Sequence, residues 1–147
     1  IGQWLKSYME LIIDTNIFIS ALIKNGPTRK VIFNSPITCF LPEYALIEIK
    51  NHEKELLKKA KLSQEGFISL IKKLLRYVQI IQIKDVNPYL MMAKKIMEKI
   101  DIDDAVFIAA SFSLNLPIWS DDKHFQKQNQ VRVYTTKDII ELIRKLP

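Results

Sequence analysis

Four acidic side chains fall where an alternating strand and helix pattern changes element: Asp14, Glu48, Asp104 and Asp122. Asp14 ends the apolar run Met9–Ile13, and Asp122 follows the strand-like Leu116-Pro117-Ile118-Trp119. Glu48 lies inside an amphipathic helix, and Asp104 opens a helix that is apolar almost throughout. In an open parallel sheet, ligands gather beyond the carboxyl ends of the strands. Asp14 and Asp122 fall at such ends, and the other two acids can reach the same rim. Like charges crowded together repel unless a cation neutralises them. The expected chemistry is therefore that of a divalent-metal site.

Each acid also has a local use. Asp14 or Asn16 could serve only as an N-cap at a strand-to-helix turn, which is a common duty for these residue types. Glu48 shares a helical face with Tyr44, and a glutamate on a partly buried face needs a partner, either a lysine or a metal. Acidic residues are favoured at a helix N-terminus, but Asp101, Asp103 and Asp104 together exceed what one cap requires. Asp101 and Asp104, three apart, would face the same way once helical. Ser120-Asp121-Asp122 is an ordinary turn composition when read alone. The case rests on all four motifs occurring in one pattern.

The elements that must position these residues are legible from the periodicity. Short continuous apolar runs alternate with helical patterns, which predicts an α/β fold: a three-layer α/β/α sandwich around a mostly parallel, about five-stranded sheet. Strands are expected near residues 9–13, 37–41, 79–83, 117–120 and 131–134. Helices are expected over 16–24, 27–34, 43–61, 64–77, 89–99, 104–114 and 136–146. In the long helix, Tyr44, Ile47, Ile49 and Leu56 or Leu57 should face the core. Ser63 reads as the N-cap of the fourth helix, and Asn87-Pro88 as the start of the fifth. A single domain spanning 9–147 follows, with 1–8 as an N-terminal extension because Met9 reads as a native start.

Composition narrows the class. The chain has 147 residues, 48% hydrophobic and 26% charged, and its net charge is +6. That is an ordinary globular balance, with no apolar run of the roughly 20 residues that a membrane span needs. The lone Cys39 excludes an intrachain disulfide, fits a cytoplasmic location, and reads as a small buried hydrophobe. Three glycines leave no glycine-rich phosphate loop, and two histidines with one cysteine are too few for a conventional zinc site. A basic exterior around an acidic pocket suits a polyanion, although lysine also simply maintains solubility.

With these residues in place, the chain resembles a PIN-domain nuclease from about Leu11 to Tyr134. Leu11-Ile12-Ile13-Asp14-Thr15-Asn16 resembles the family's opening strand and Asp-Thr-Asn motif, and Glu48 its mid-helix acid. Asp101-Ile102-Asp103-Asp104-Ala105 resembles the third motif, and Ser120-Asp121-Asp122-Lys123-His124-Phe125 the last. The resemblance implies that Asp14, Glu48, Asp104 and Asp122 bind metal and carry catalysis, with Asp101 and Asp121 as helpers. Asn16 and Ser120 would orient carboxylates or water. Asp103 could replace Asp104, and Asp121 could replace Asp122.

All-oxygen ligands select a hard cation, Mg²⁺ or Mn²⁺. The implied reaction is hydrolysis of single-stranded RNA, by the toxin of a VapC-type toxin–antitoxin pair or by a stand-alone ribonuclease. The implied partners are RNA, an antitoxin and a second copy of the chain, with the helix over 64–77 a candidate contact. Arg29, Lys30, Lys50 and Lys123, each near a motif, are the expected phosphate ligands. His124 could act as a base, but a metal makes one unnecessary. Trp119 reads as core and His52 as surface. A magnesium-dependent phosphatase or receiver fold and a non-catalytic PIN-fold binding module are the competing readings. The first is disfavoured by Asn16, where a phosphatase would place a second aspartate.

Overall fold

The computed structural model describes residues 9–34 and 36–147; the extension expected over 1–8 lies outside them. Five parallel strands form the sheet: β1 (Met9–Ile13), β2 (Ile37–Pro42), β3 (Val78–Ile81), β4 (Ile118–Trp119) and β5 (Val133–Tyr134), in the order β3-β2-β1-β4-β5. Leu11, Ile12 and Ile13 of β1 are fully buried. The central strand is covered on both faces, which is why its apolar run is continuous rather than alternating. Each such side chain stabilises the fold by about 1.5–3 kcal/mol.

The chain leaves β1 toward β2 and β3, then returns to β4 and β5 on the other side. Right-handed crossovers put the helices of these two halves on opposite faces. The first face carries α1 (Thr15–Ile23), α2 (Pro27–Asn34), α3 (Glu43–Asn51), α4 (Glu53–Ala60) and α5 (Gln64–Leu75). Beyond β3 come α6 (Ile83–Val86), α7 (Leu90–Met97) and α8 (Ala105–Leu114). α8 packs on α7 and lies against β1, β2 and β4. Finally α9 (Thr136–Arg144) follows β5, started by a capping box between Thr135 and Asp138. Between β1 and β4 the connections diverge, and a crevice opens there at the carboxyl ends of the strands.

Several local expectations need correction. The helix expected over 43–61 is two helices, because the exposed His52 has φ −109° and ψ 18° and interrupts the turn. Neither Asn51 nor His52 is a strong helix former. Ile47 does not reach the core: it is 49% exposed and shares a face with Tyr44 and Glu48 that overlooks the crevice, while Ile49 and Leu56 are buried. The third strand stops at Ile81, since the Ile83 N–H is taken by the Glu43 carboxylate at 3.2 Å and α6 begins there. Asn87 does not cap its helix with its side chain; its Oδ1 accepts the Tyr44 hydroxyl at 2.8 Å. Ser63 does cap α5, accepting the Gly66 N–H at 3.1 Å. Cys39 and Trp119 are both buried, and burial pushes the Cys39 thiol up to about 12.

α8 is the buried helix, and Ala109 and Ala110 let it approach the sheet with no exposed surface. Ala109→Leu should overpack that contact and cost about 1–3 kcal/mol, read as a fall of several degrees in Tm. An unchanged Tm would mean that α8 does not pack tightly on the sheet.

Candidate active site

Register alone brings two of the motifs together. Ile13 pairs with Trp119 across β1 and β4, so the next residue on each strand, Asp14 and Ser120, stand side by side at the crevice. Asp14 is 3% exposed. Its Oδ1 accepts the Ile17 N–H at 2.8 Å, which caps α1, and its Oδ2 accepts the Ser120 hydroxyl. The same Ser120 oxygen accepts the Asp122 N–H at 3.0 Å. One buried hydroxyl thus ties the end of β1 to the turn that carries Asp122. Asp122 in turn starts a 3-10 turn over Lys123–Lys127 by accepting the His124 N–H at 2.9 Å.

The third motif arrives from below α8. Asp101 accepts the Asp103 N–H at 3.1 Å, and this shapes a 3-10 turn that leads into Asp104 and α8. His124 Nδ1 lies 3.2 Å from Asp101 Oδ2, 3.5 Å from Asp122 Oδ1 and 3.6 Å from Asp104 Oδ2. These separations allow ion pairing, yet neither His124 Nδ1 nor Asp104 Oδ2 has a hydrogen-bond partner, and both atoms are buried. Burial is the main cause of a raised Asp104 pKa of about 7, followed by the charges of Asp101, Asp122 and Asp14, with His124 opposing. Burial also raises Asp14 to about 6, against the hydrogen bonds from Ser120 and Ile17 and with help from the charges of Asp122 and Asp121.

These donors fit a divalent ion. Asp101, Asp104 and His124 each offer an atom, and the three atoms lie within 4.8 Å of one another. A cation among them would partner the orphaned Asp104 oxygen and offset the burial and like charge that raise its pKa. Glu48 sits across the cleft. It is exposed, and its Oε1 accepts the Thr15 hydroxyl at 3.0 Å instead of pairing with a lysine. The cleft, about 430 Å³, is lined by Asp14, Thr15, Asn16, Tyr44, Glu48, Asp103 and Asp104 among others.

The remaining residues singled out by the sequence divide. Asp121 is held outside the cluster: its carboxylate accepts the backbone N–H and the hydroxyl of Thr136, at 2.7 and 2.6 Å. Trp119 Nε1 donates to that same hydroxyl, so Asp121 anchors α9 to the sheet. Asn16 is exposed in the first turn of α1, on the cleft wall. Arg29 donates to the carbonyls of Ala21 and Leu22 at 2.6 and 3.1 Å, closing the far end of α1. That end lies about 11 Å along the helix axis from Asp14, and Lys30 lies beside it, against α9. Lys50 and Lys123 are exposed, Lys50 on the helix of Glu48 and Lys123 next to Asp122. His124 as a candidate metal donor and Thr15 as the holder of Glu48 are the roles that sequence reading missed, although both residues lie inside the quoted motifs.

A family model described as PIN domain matches residues 12–141. No curated protein matches the chain by sequence. Among solved structures, VapBC2 from Rickettsia felis, bound to a DNA fragment from their promoter, is similar with a TM-score of 0.66 at 17% identity, over 86% of this chain and 98% of that one. PAE2754 from Pyrobaculum aerophilum has a TM-score of 0.66 at 12% identity, over 94% and 91% of the two chains. A toxin–antitoxin complex from Klebsiella pneumoniae has a TM-score of 0.56 at 16% identity, over 77% and 87%. At these identities the likeness establishes the fold.

Both raised pKa values mean that the folded protein holds protons which the unfolded chain, near 3.8, has released. The stability these groups contribute is complete below about pH 4 and lost as pH rises through about 6 and 7. In chelator, an Asp14→Asn/Asp104→Asn double variant should therefore gain stability over the parent between about pH 5 and about pH 8 in urea titrations. Mn²⁺ should restore the parent alone. A stability difference that stays constant across this range would mean that neither carboxyl is held above its ordinary pKa in the folded protein.

Proposed function

Because the chain belongs to the PIN-domain family, we propose that it is a metal-dependent endoribonuclease that hydrolyses single-stranded RNA, acting as the toxin of a toxin–antitoxin pair. The observation that carries this reading is the buried, unpartnered Asp104 oxygen set among other carboxylates at the β1/β4 crevice. An acid left in that state is suited to a cation. Two of the similar solved structures are VapBC2 and a toxin–antitoxin complex, which supports the narrower assignment.

Asp14, Asp104 and Asp122 would hold Mg²⁺ or Mn²⁺, with Asp101 and His124 beside them and Glu48 facing them across the cleft. When bound, the ion supplies Lewis acidity, making water a better nucleophile and offsetting charge on the scissile phosphate. The chain's own residues do the rest. Ser120 orients Asp14 and the Asp122 turn through one hydroxyl, and Thr15 holds Glu48 in place. His124, when neutral, offers Nδ1 as a donor; when protonated, it partly balances the carboxylates in the metal-free site. Lys123, exposed next to Asp122, and Lys50, exposed on the helix of Glu48, are the proposed contacts to flanking phosphates, whereas Arg29 closes α1 and Lys30 lies beside it.

An antitoxin chain and a second copy of this chain are the proposed partners, and the cytoplasm the proposed location. Among the described residues no helix is long and apolar enough to cross a membrane. Ile68, 41% exposed on α5, is a candidate dimer contact.

Single-stranded RNA incubated with Mg²⁺ or Mn²⁺ should be cut, and cutting should stop in chelator and in Asp14→Asn. Asn remains a good N-cap, so that variant should keep its fold. Ser120→Ala should lower kcat about 10–100-fold without removing activity. Cleavage that persists in chelator would overturn the mechanism.

A further inference from the structure

On the other flank of His124 lies a second cavity, about 410 Å³, that the proposed chemistry does not use. Its floor is Ile96, in α7, and Ile100, just beyond the end of that helix, and its wall is the segment 126–130. The wall begins two residues after His124, and the floor ends one residue before Asp101. Those two side chains meet at 3.2 Å. The cavity's lining thus flanks the His124–Asp101 contact in sequence on both sides.

The wall is held from within. Gln128 Nε2 donates to the carbonyls of Phe125 and Val131, each at 2.9 Å. Its Oε1 accepts the N–H groups of Gln130 and Val131, each at 2.9 Å. Phe125 is fully buried, edge-on to Phe107, and fixes the start of the loop in the core. Amides on such a loop stand on a prepared backbone rather than a floppy one. Gln130 Nε2 donates to Asn129 Oδ1 at 3.2 Å. Among the described residues, that leaves Gln130 Oε1, Asn129 Nδ2 and both ends of the Gln126 amide without a protein partner. Lys127 is exposed in the same wall.

An apolar floor, a wall of amide donors and acceptors, and one cation match the parts of a nucleotide. The flat base can lie against the isoleucines, its edge can meet the amides, and its phosphate can meet Lys127. Unstacked bases of a single strand are free to enter such a pocket. Glutamine and asparagine amides match the donor and acceptor edge of adenine best. We propose that this cavity is a base-binding subsite for the substrate strand, next to the scissile phosphate, with adenine its preferred occupant. The proposal takes its strand from the ribonuclease reading and its specificity from the cavity.

The test compares the full chain with Gln126→Ala, Gln130→Ala and Lys127→Ala on short oligo-A, oligo-C, oligo-G and oligo-U RNA. Cleavage is measured in Mn²⁺, and binding by fluorescence anisotropy in chelator. The parent should show the lowest KM on oligo-A, by about 5–100-fold. Both glutamine variants should raise that KM, keep kcat and level the preference among bases. Lys127→Ala should weaken all four RNAs alike and reduce the salt dependence. Equal KM values for the four RNAs in the parent, or an oligo-A preference that survives both glutamine variants, would overturn the subsite. If the parent cuts none of them, the ribonuclease reading fails. The binding arm then decides alone: adenine-preferring binding lost in the glutamine variants supports the cavity, and its absence overturns it.

Discussion

Burial of carboxylates gathered at one crevice, reinforced by the repulsion among them, is the constraint around which this molecule is arranged. Asp14 and Asp104 are drawn out of water by the same packing that buries β1 and α8, and they are brought near Asp101 and Asp122. Left alone, such a group favours protonation over charge. Ser120 keeps Asp14 ordered without neutralising it, because a hydroxyl gives one proton to the hydrogen bond and removes no charge. His124 reaches into the group with an unpaired nitrogen. The surrounding structure is rigid enough to hold this arrangement, since each acid belongs to a strand end or a capped turn rather than a free loop.

The placement follows from topology. The stretches meet because β1 and β4 are neighbours at the switch point, α8 lies against both, and α3, which starts at the end of β2, packs on α1. The acids also do local work. Asp14 caps α1, Asp101 shapes the turn before α8, and Asp122 starts the turn that carries His124. Capping therefore does not exclude the proposed metal ligation by these residues. A carboxylate has two oxygens, and in Asp14 one serves the helix while the other faces the neighbouring strand.

Much of this was legible in the chain. The continuous apolar run Leu11-Ile12-Ile13 marked the central strand, because a parallel strand buried on both faces cannot alternate. The helix after Asp104 announced its burial through its lack of charged residues. What escaped reading depends on partners distant in sequence. Asp121 and Asp122 are equivalent as a dipeptide, and only the Thr136 contact, fifteen residues on, holds Asp121 apart. Ile83 looked like strand until the Glu43 carboxylate, forty residues earlier, turned it into a helix start. Ile47 carries the right spacing for a core face, yet that face looks over a cleft. Periodicity reports which residues share a side, but not what the side meets.

Burial of Cys39 has a practical use. At 1% exposure, with its thiol pushed up to about 12, it stays protonated and shielded at neutral pH, where alkylating reagents attack thiolates. A spectroscopic label can thus be attached to a cysteine introduced on the surface while the native one is left alone. The sulfur between β2 and its neighbours acts as a silent background, and distances within the working protein can be measured without disturbing its core.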